Sequence, residues 1–162
     1  MIQNIKLKEV SNMWREKLIE IKREKVIYNE LINDGAADEQ IEKLIIEVEN
    51  VFHYKLPKEY LSFLSLVNGL EFNGFIIYGV DSYLLSCKVN QQIIGLISSN
   101  KIWYENEEQK QYIFLGESNI SWYCFDLIEK KFIELDNPSG ELISKYTDFE
   151  TMLDKILEDS LL

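Results

Sequence analysis

Residues 56–80, Leu-Pro-Lys-Glu-Tyr-Leu-Ser-Phe-Leu-Ser-Leu-Val-Asn-Gly-Leu-Glu-Phe-Asn-Gly-Phe-Ile-Ile-Tyr-Gly-Val, constrain the fold more than any other stretch of the chain. Pro57 suits the first helical position, where its missing N–H is no loss and its φ is already helical. Tyr60, Phe63, Leu64 and Val67 follow at i, i+3, i+4 and i+7, one apolar stripe at helical period. Asn68-Gly69 is a stop, because glycine accepts the left-handed conformation that closes a helix, so Gly69 is expected at positive φ. Phe75-Ile76-Ile77-Tyr78, rich in β-formers and bracketed by Gly74 and Gly79, reads as a strand. The unit is helix, tight stop, strand.

The flanking sequence extends this pattern. Val10, Trp14, Leu18, Ile21, Tyr28 and Ile32 predict a long amphipathic helix over 8–33, ended by Asn33-Asp34-Gly35. Asp38 is expected to cap a second helix with Ile41, Leu44, Ile45, Val48 and Phe52 as its stripe. His53, the only histidine, follows it as a surface or capping residue. Beyond the central unit, Tyr83-Leu84-Leu85 reads as a short strand and residues 90–105 as a third helix. Strands are expected at 112–116, 121–127 and 131–136, the last two as a hairpin through Ile128-Glu129-Lys130. Asn137-Pro138-Ser139-Gly140 is a turn, and a final helix starts at Thr147, with Glu150 completing a capping box. With no repeat or linker, residues 1–162 are expected to form one α+β domain. A mostly antiparallel sheet is flanked by helices, with a long leading helix (1–35) and a closing C-terminal helix.

Composition limits what such a domain does. At 162 residues, 46% hydrophobic and 28% charged, the chain is globular and has no apolar run that would span a membrane. The first residues lack a secretion signal, which predicts a cytoplasmic address. The net charge is −11, unevenly spread. Residues 1–28 hold seven Lys/Arg against four Glu (+3), and the remainder carries −14. That balance argues against a nucleic-acid ligand and fits a basic protein partner. Cys87 and Cys124 form no framework or metal pattern and are expected as reduced thiols. One histidine outside any Ser or Cys signature, with no Walker or dinucleotide loop, supports no catalytic machinery. No catalytic residue, cofactor or metal site is therefore expected.

Leu56-Pro57, Tyr60, Phe63-Leu64 and Asn68-Gly69 together resemble the hallmark of the SUKH superfamily, the Smi/Knr-type proteins. The run from Asn68 to Gly74 is similar to bacterial YrhA-type members in particular. Gly116, the aromatic run Trp122–Phe125, and Asp148-Phe149 before Met152-Leu153 extend the likeness over residues 39–158. The resemblance implies a cytoplasmic immunity protein that binds and blocks a cognate toxin domain, often a nuclease. A regulatory or scaffold module, as in the fungal members, is the alternative it implies.

The hairpin suggests where such a partner binds. Strand side chains alternate. Tyr123, Phe125 and Leu127, with Ile133 and Leu135, are expected on the core side. Trp122, Asp126, Phe132, Glu134 and Asp136 would then form an outer face of aromatics and carboxylates, suited to a basic partner. The acidic connection bearing Glu105, Glu107 and Glu108 is the expected neighbour.

Overall fold

The computed structural model describes residues 2–85 and 92–162, with side chains from Met13 onward, so Cys87 lies outside the described residues. Helix α1 (Ile2–Ile27), α2 (Asp38–Phe52) and α3 (Lys58–Leu66) lead into β1 (Leu70–Phe72) and β2 (Phe75–Ile77). After α4 (Leu96–Trp103) come β3 (Tyr112–Glu117), β4 (Ser121–Asp126), β5 (Lys131–Asp136), β6 (Leu142–Tyr146) and α5 (Phe149–Ser160). The strands form one six-stranded antiparallel sheet in sequence order, an α+β fold with helices flanking the sheet.

The central unit folds as its pattern requires. Tyr60, Phe63, Leu64 and Val67 are fully buried. Pro57 sits at the N-cap, one position before the helix begins. Gly69 has φ +75°. The chain then turns back at once, which the sequence reading did not anticipate. Asn73 and Gly74 both have positive φ (47° and 80°), forming a two-residue turn that pairs β1 with β2. Asn68 stitches the turn to its surroundings: its Oδ1 accepts from the Val80 amide (2.8 Å), and Asn33 Nδ2 donates to its carbonyl (2.9 Å).

Several boundaries differ from expectation, each for a local reason. Helix α1 ends at Ile27 rather than near residue 33, because Asn29 adopts φ +55°. The Glu30 amide then bonds Lys25 O and the Asn29 amide bonds Val26 O, the pair of bonds that closes a helix around a left-handed residue. Residues 82–84 form a 3₁₀ turn, not a strand, held by the Leu84 amide on Asp81 O. Helix α4 begins only at Leu96, because the Asp81 carboxylate accepts from the Ile97 and Ser98 amides (2.9 and 2.8 Å). Helix α5 is capped by Asp148, which accepts from the Thr151 amide (2.7 Å). Glu150, expected in a capping box with Thr147, instead accepts from Trp14 Nε1 (3.0 Å) and ties α5 to α1. His53 is the left-handed C-cap of α2.

Both faces of the sheet are covered. On one, Phe132 meets Phe149 of α5 (6.0 Å between centroids), and Phe149 meets Tyr60 of α3 (5.5 Å). On the other, Trp103 of α4 packs on Phe114 (5.7 Å) and Trp122 (5.4 Å). Asn100 locks α4 in place. Its Nδ2 donates to Phe114 O, and its Oδ1 accepts from the Phe114 amide, both at 2.8 Å. The β2 side reaches β3 at Glu117 and Gly116 and, through the Tyr78 amide, at Leu115 O, so at Phe114 this side chain supplies the partner that the neighbouring chain does not.

Candidate partner-binding surface

The structure corrects the expected hairpin face. The β4–β5 register pairs Trp122 with Leu135, Cys124 with Ile133, and Phe125 with Phe132. Cross-strand partners share a face, so Trp122 and Phe132 point to opposite sides. Trp122 is 4% exposed, packed edge-on against Trp103 and Phe114. Phe132 is half-buried against Phe125 and Phe149.

The three carboxylates of that face are engaged internally. Glu134 is 9% exposed and accepts from Ser121 Oγ (2.7 Å) and Tyr146 Oη (2.8 Å). Asp126 is 5% exposed, and its Oδ1 accepts from the Ile128 and Glu129 amides (2.8 and 3.2 Å). Asp136 holds the next turn, where the Ser139 hydroxyl and amide keep its carboxyl below the usual carboxylate range. Ile133 and Leu135, expected to share a face with Tyr123 and Phe125, instead lie opposite Cys124 and Trp122, so the expected outer face is split between two sides of the sheet that α4 and α5 cover.

The acidic connection stands apart from that correction. Glu105, Glu107 and Glu108 are all exposed. Asn106 Oδ1 accepts from the Glu108 amide (3.2 Å), starting a 3₁₀ turn over 107–111. Glu107 pairs with Lys110 at 2.8 Å.

Lys110 leads into a hollow of about 340 Å³ whose walls are Val51, Phe52, Lys101, Tyr104 and Leu127. Tyr104 is fixed edge-on against Phe52 (5.4 Å), with its hydroxyl donated to Tyr112 O. Burial pushes its phenol up to about 12. Two aliphatic side chains stand exposed on the same elements: Ile102 on α4 (61%) and Ile128 at the tip of the hairpin loop (73%). Asp126 builds that loop, together with the Lys130 amide on Asp126 O and Lys130 at φ +58°. Asp126, expected on the partner-facing side, is buried and builds the loop that carries Ile128.

The arrangement joins apolar contact area to an acidic rim. Ile102 and Ile128 are two of several exposed aliphatics of the described residues, Val26, Ile27 and Ile120 among the others, and their chain neighbours Lys101, Tyr104 and Leu127 line the hollow. Ile128 carried a signal in the sequence, an aliphatic at a hairpin tip where polar turn residues are usual. Ile102 carried none, because its exposure depends on where α4 begins. Among the described residues no three of His, Cys, Asp and Glu converge to hold a metal ion, and no helix is long and apolar enough to cross a membrane.

Comparison with known proteins places the fold. The family SUKH_6, described as SMI1-KNR4 cell-wall, matches residues 42–151. No curated protein matches. A solved structure described as the crystal structure of a protein from Pseudomonas syringae pv. tomato is similar in fold, with a TM-score of 0.54 at 12% identity. The match covers 79% of this chain and 87% of that one.

Proposed function

Since the chain belongs to the SMI1-KNR4 family SUKH_6, whose bacterial members the sequence resembles as immunity proteins, we propose that it is a non-catalytic cytoplasmic antitoxin. In this reading it binds a basic toxin domain, such as a nuclease, and blocks it without a cofactor. The observation that carries the reading is a set of exposed residues on neighbouring stretches of chain: Ile102 on α4, Ile128 in the β4–β5 loop, and Glu105, Glu107 and Glu108 in the connection after α4, whose chain neighbours Lys101, Tyr104, Lys110 and Leu127 line the hollow with Val51 and Phe52. The aliphatics supply desolvated contact area, and the carboxylates speed encounter with a positively charged partner. The −14 carried outside residues 1–28 acts in the same direction over longer range.

The test is co-expression of the full chain with the toxin domain encoded by the adjoining open reading frame. Protection of the cells, and recovery of the two proteins as one complex, supports the proposal. A complex without protection favours the scaffold role. The absence of both protection and a complex would refute the reading.

A further inference from the structure

The opposite end of the sheet holds a second feature that the antitoxin reading does not use. Among the described residues, β1 is an edge strand that pairs with β2 alone. In a two-residue hairpin the residues flanking the turn exchange both hydrogen bonds, so Phe72 and Phe75 are the bonded pair. Glu71 and Ile76 are then the non-bonded pair. The N–H and C=O of Glu71 consequently point away from β2, off an edge where no described strand pairs with them.

They point toward a cleft. A hollow of about 300 Å³ lies between residues Glu30–Asn33 on one wall and Gly69–Gly74 on the other. Asn33 Nδ2 closes one end by donating to Gln92 O (2.8 Å) as well as to Asn68 O and Gly69 O, leaving β1 beside the remainder. Lys25 lies against it, 6% exposed, its ammonium 5.9 Å from the centre of the Phe72 ring. Glu30 neutralises that charge at 3.2 Å, and Leu31 O accepts a further bond at 3.4 Å. The Glu30 carboxylate is still half exposed, and Glu71 is exposed. Two carboxylates against one paired ammonium leave the cleft acidic, within a body that is itself strongly acidic. The far edge of the sheet, β6, offers less, because Lys145 on it is a charge of the kind that discourages strand addition.

We propose that the free edge of β1 and the cleft beside it bind an extended, lysine- or arginine-bearing segment of a partner protein, which adds to the sheet as a further strand. The Glu71 N–H and C=O make the main-chain bonds, and Glu30 and Glu71 receive the basic side chains. The site shares no residue with the Ile102–Ile128 surface and does not require the partner to be a toxin.

The experiment selects phage-displayed random linear peptides on the intact chain, then follows backbone amide hydrogen exchange with a selected peptide bound. The expected result is enrichment of basic peptides that slow exchange of the Glu71 amide at least tenfold. Glu71→Pro deletes only an N–H that faces outward, a change that edge strands tolerate. It should weaken binding at least tenfold more than Glu71→Gln, which removes the charge and keeps the N–H. Failure to enrich any peptide, enrichment of acidic ones, unchanged exchange at Glu71, or equal binding by the proline and glutamine variants would overturn the proposal. The exchange measurement needs only the unmodified protein, so misfolding of a variant does not decide the result. The toxin co-expression result is independent of all these outcomes.

Discussion

Asn100 is the side chain on which the position of α4, and hence of the Ile102–Tyr104 surface, depends. It is fully buried. Its amide satisfies both backbone groups of Phe114, and its Nδ2 also reaches Leu96 O (2.8 Å). Asn100→Ala removes the partner of Phe114 N–H and of Phe114 O together, while Leu96 O keeps its bond within the helix. Each orphaned buried group costs about 2 kcal/mol, so the variant should lose about 4 kcal/mol of stability in urea titrations. Asn100→Asp separates the two halves of the amide. It keeps an acceptor for the Phe114 amide but places a carboxylate oxygen against Phe114 O. Protonation restores a donor there, so the folded pKa of that aspartate should lie above its unfolded value of about 4. A raised folded pKa means stability is fully present below the unfolded value and is lost as pH rises through the folded one. The deficit of Asn100→Asp should therefore shrink between pH 7 and pH 4, and that of Asn100→Ala should stay constant. A cost below 1 kcal/mol for the alanine variant, or an Asp deficit equal at both pH values, would show that this amide does not replace a strand.

Other expectations follow from buried groups and backbone conformation. Gly69→Ala should cost about 1 kcal/mol or somewhat more in urea unfolding, because φ is +75° and the new Cβ meets Gly79 N at 3.2 Å; an unchanged midpoint would contradict this. Cys124 is free and fully buried, and burial pushes its thiol well up. A disulfide-exchange reagent should therefore leave it untouched in the folded protein, and two thiols should titrate once the unreduced chain is unfolded. Burial also raises the phenols of Tyr104 and Tyr123 to about 12. The stability they contribute is present below the ordinary phenol pKa of about 10 and is lost as pH rises toward 12, so Tm should fall over that window; a flat Tm would refute it.

What was legible in the sequence was local and strongly periodic. The Tyr60–Val67 stripe, the Gly69 stop and the β4–β5 hairpin needed only residue spacing and turn chemistry. Strand β1 was not seen because three residues, Leu70-Glu71-Phe72, make too short a run to show alternation, although Asn73-Gly74 is a strong hairpin signal. Strand β6 was missed because Leu142-Ile143-Ser144-Lys145-Tyr146 alternates poorly. The end of α1 depended on Asn29, a residue that enters the left-handed region often enough to stop a helix without glycine. The expected site failed for a tertiary reason. Trp122, Asp126 and Glu134 read equally well as an open face or a covered one, and only the placement of α4 and α5 decides between them. The acidic loop at Glu105, Glu107 and Glu108 was visible as a polar connection, but its aliphatic neighbours Ile102 and Ile128 emerge only when the helix phase and the loop geometry are known.

Affinity for a basic toxin is expected to come from the surface around Ile102 and Ile128. Calorimetric titration of the adjoining-frame toxin domain into the wild-type chain and into an Ile102→Ser, Ile128→Ser double variant, which removes apolar area without adding charge, is the measurement that decides this. Both positions are exposed, so Tm should change little, while loss of two anchors should weaken Kd at least 100-fold, about 2.7 kcal/mol. Wild-type affinity in a folded double variant would contradict the claim.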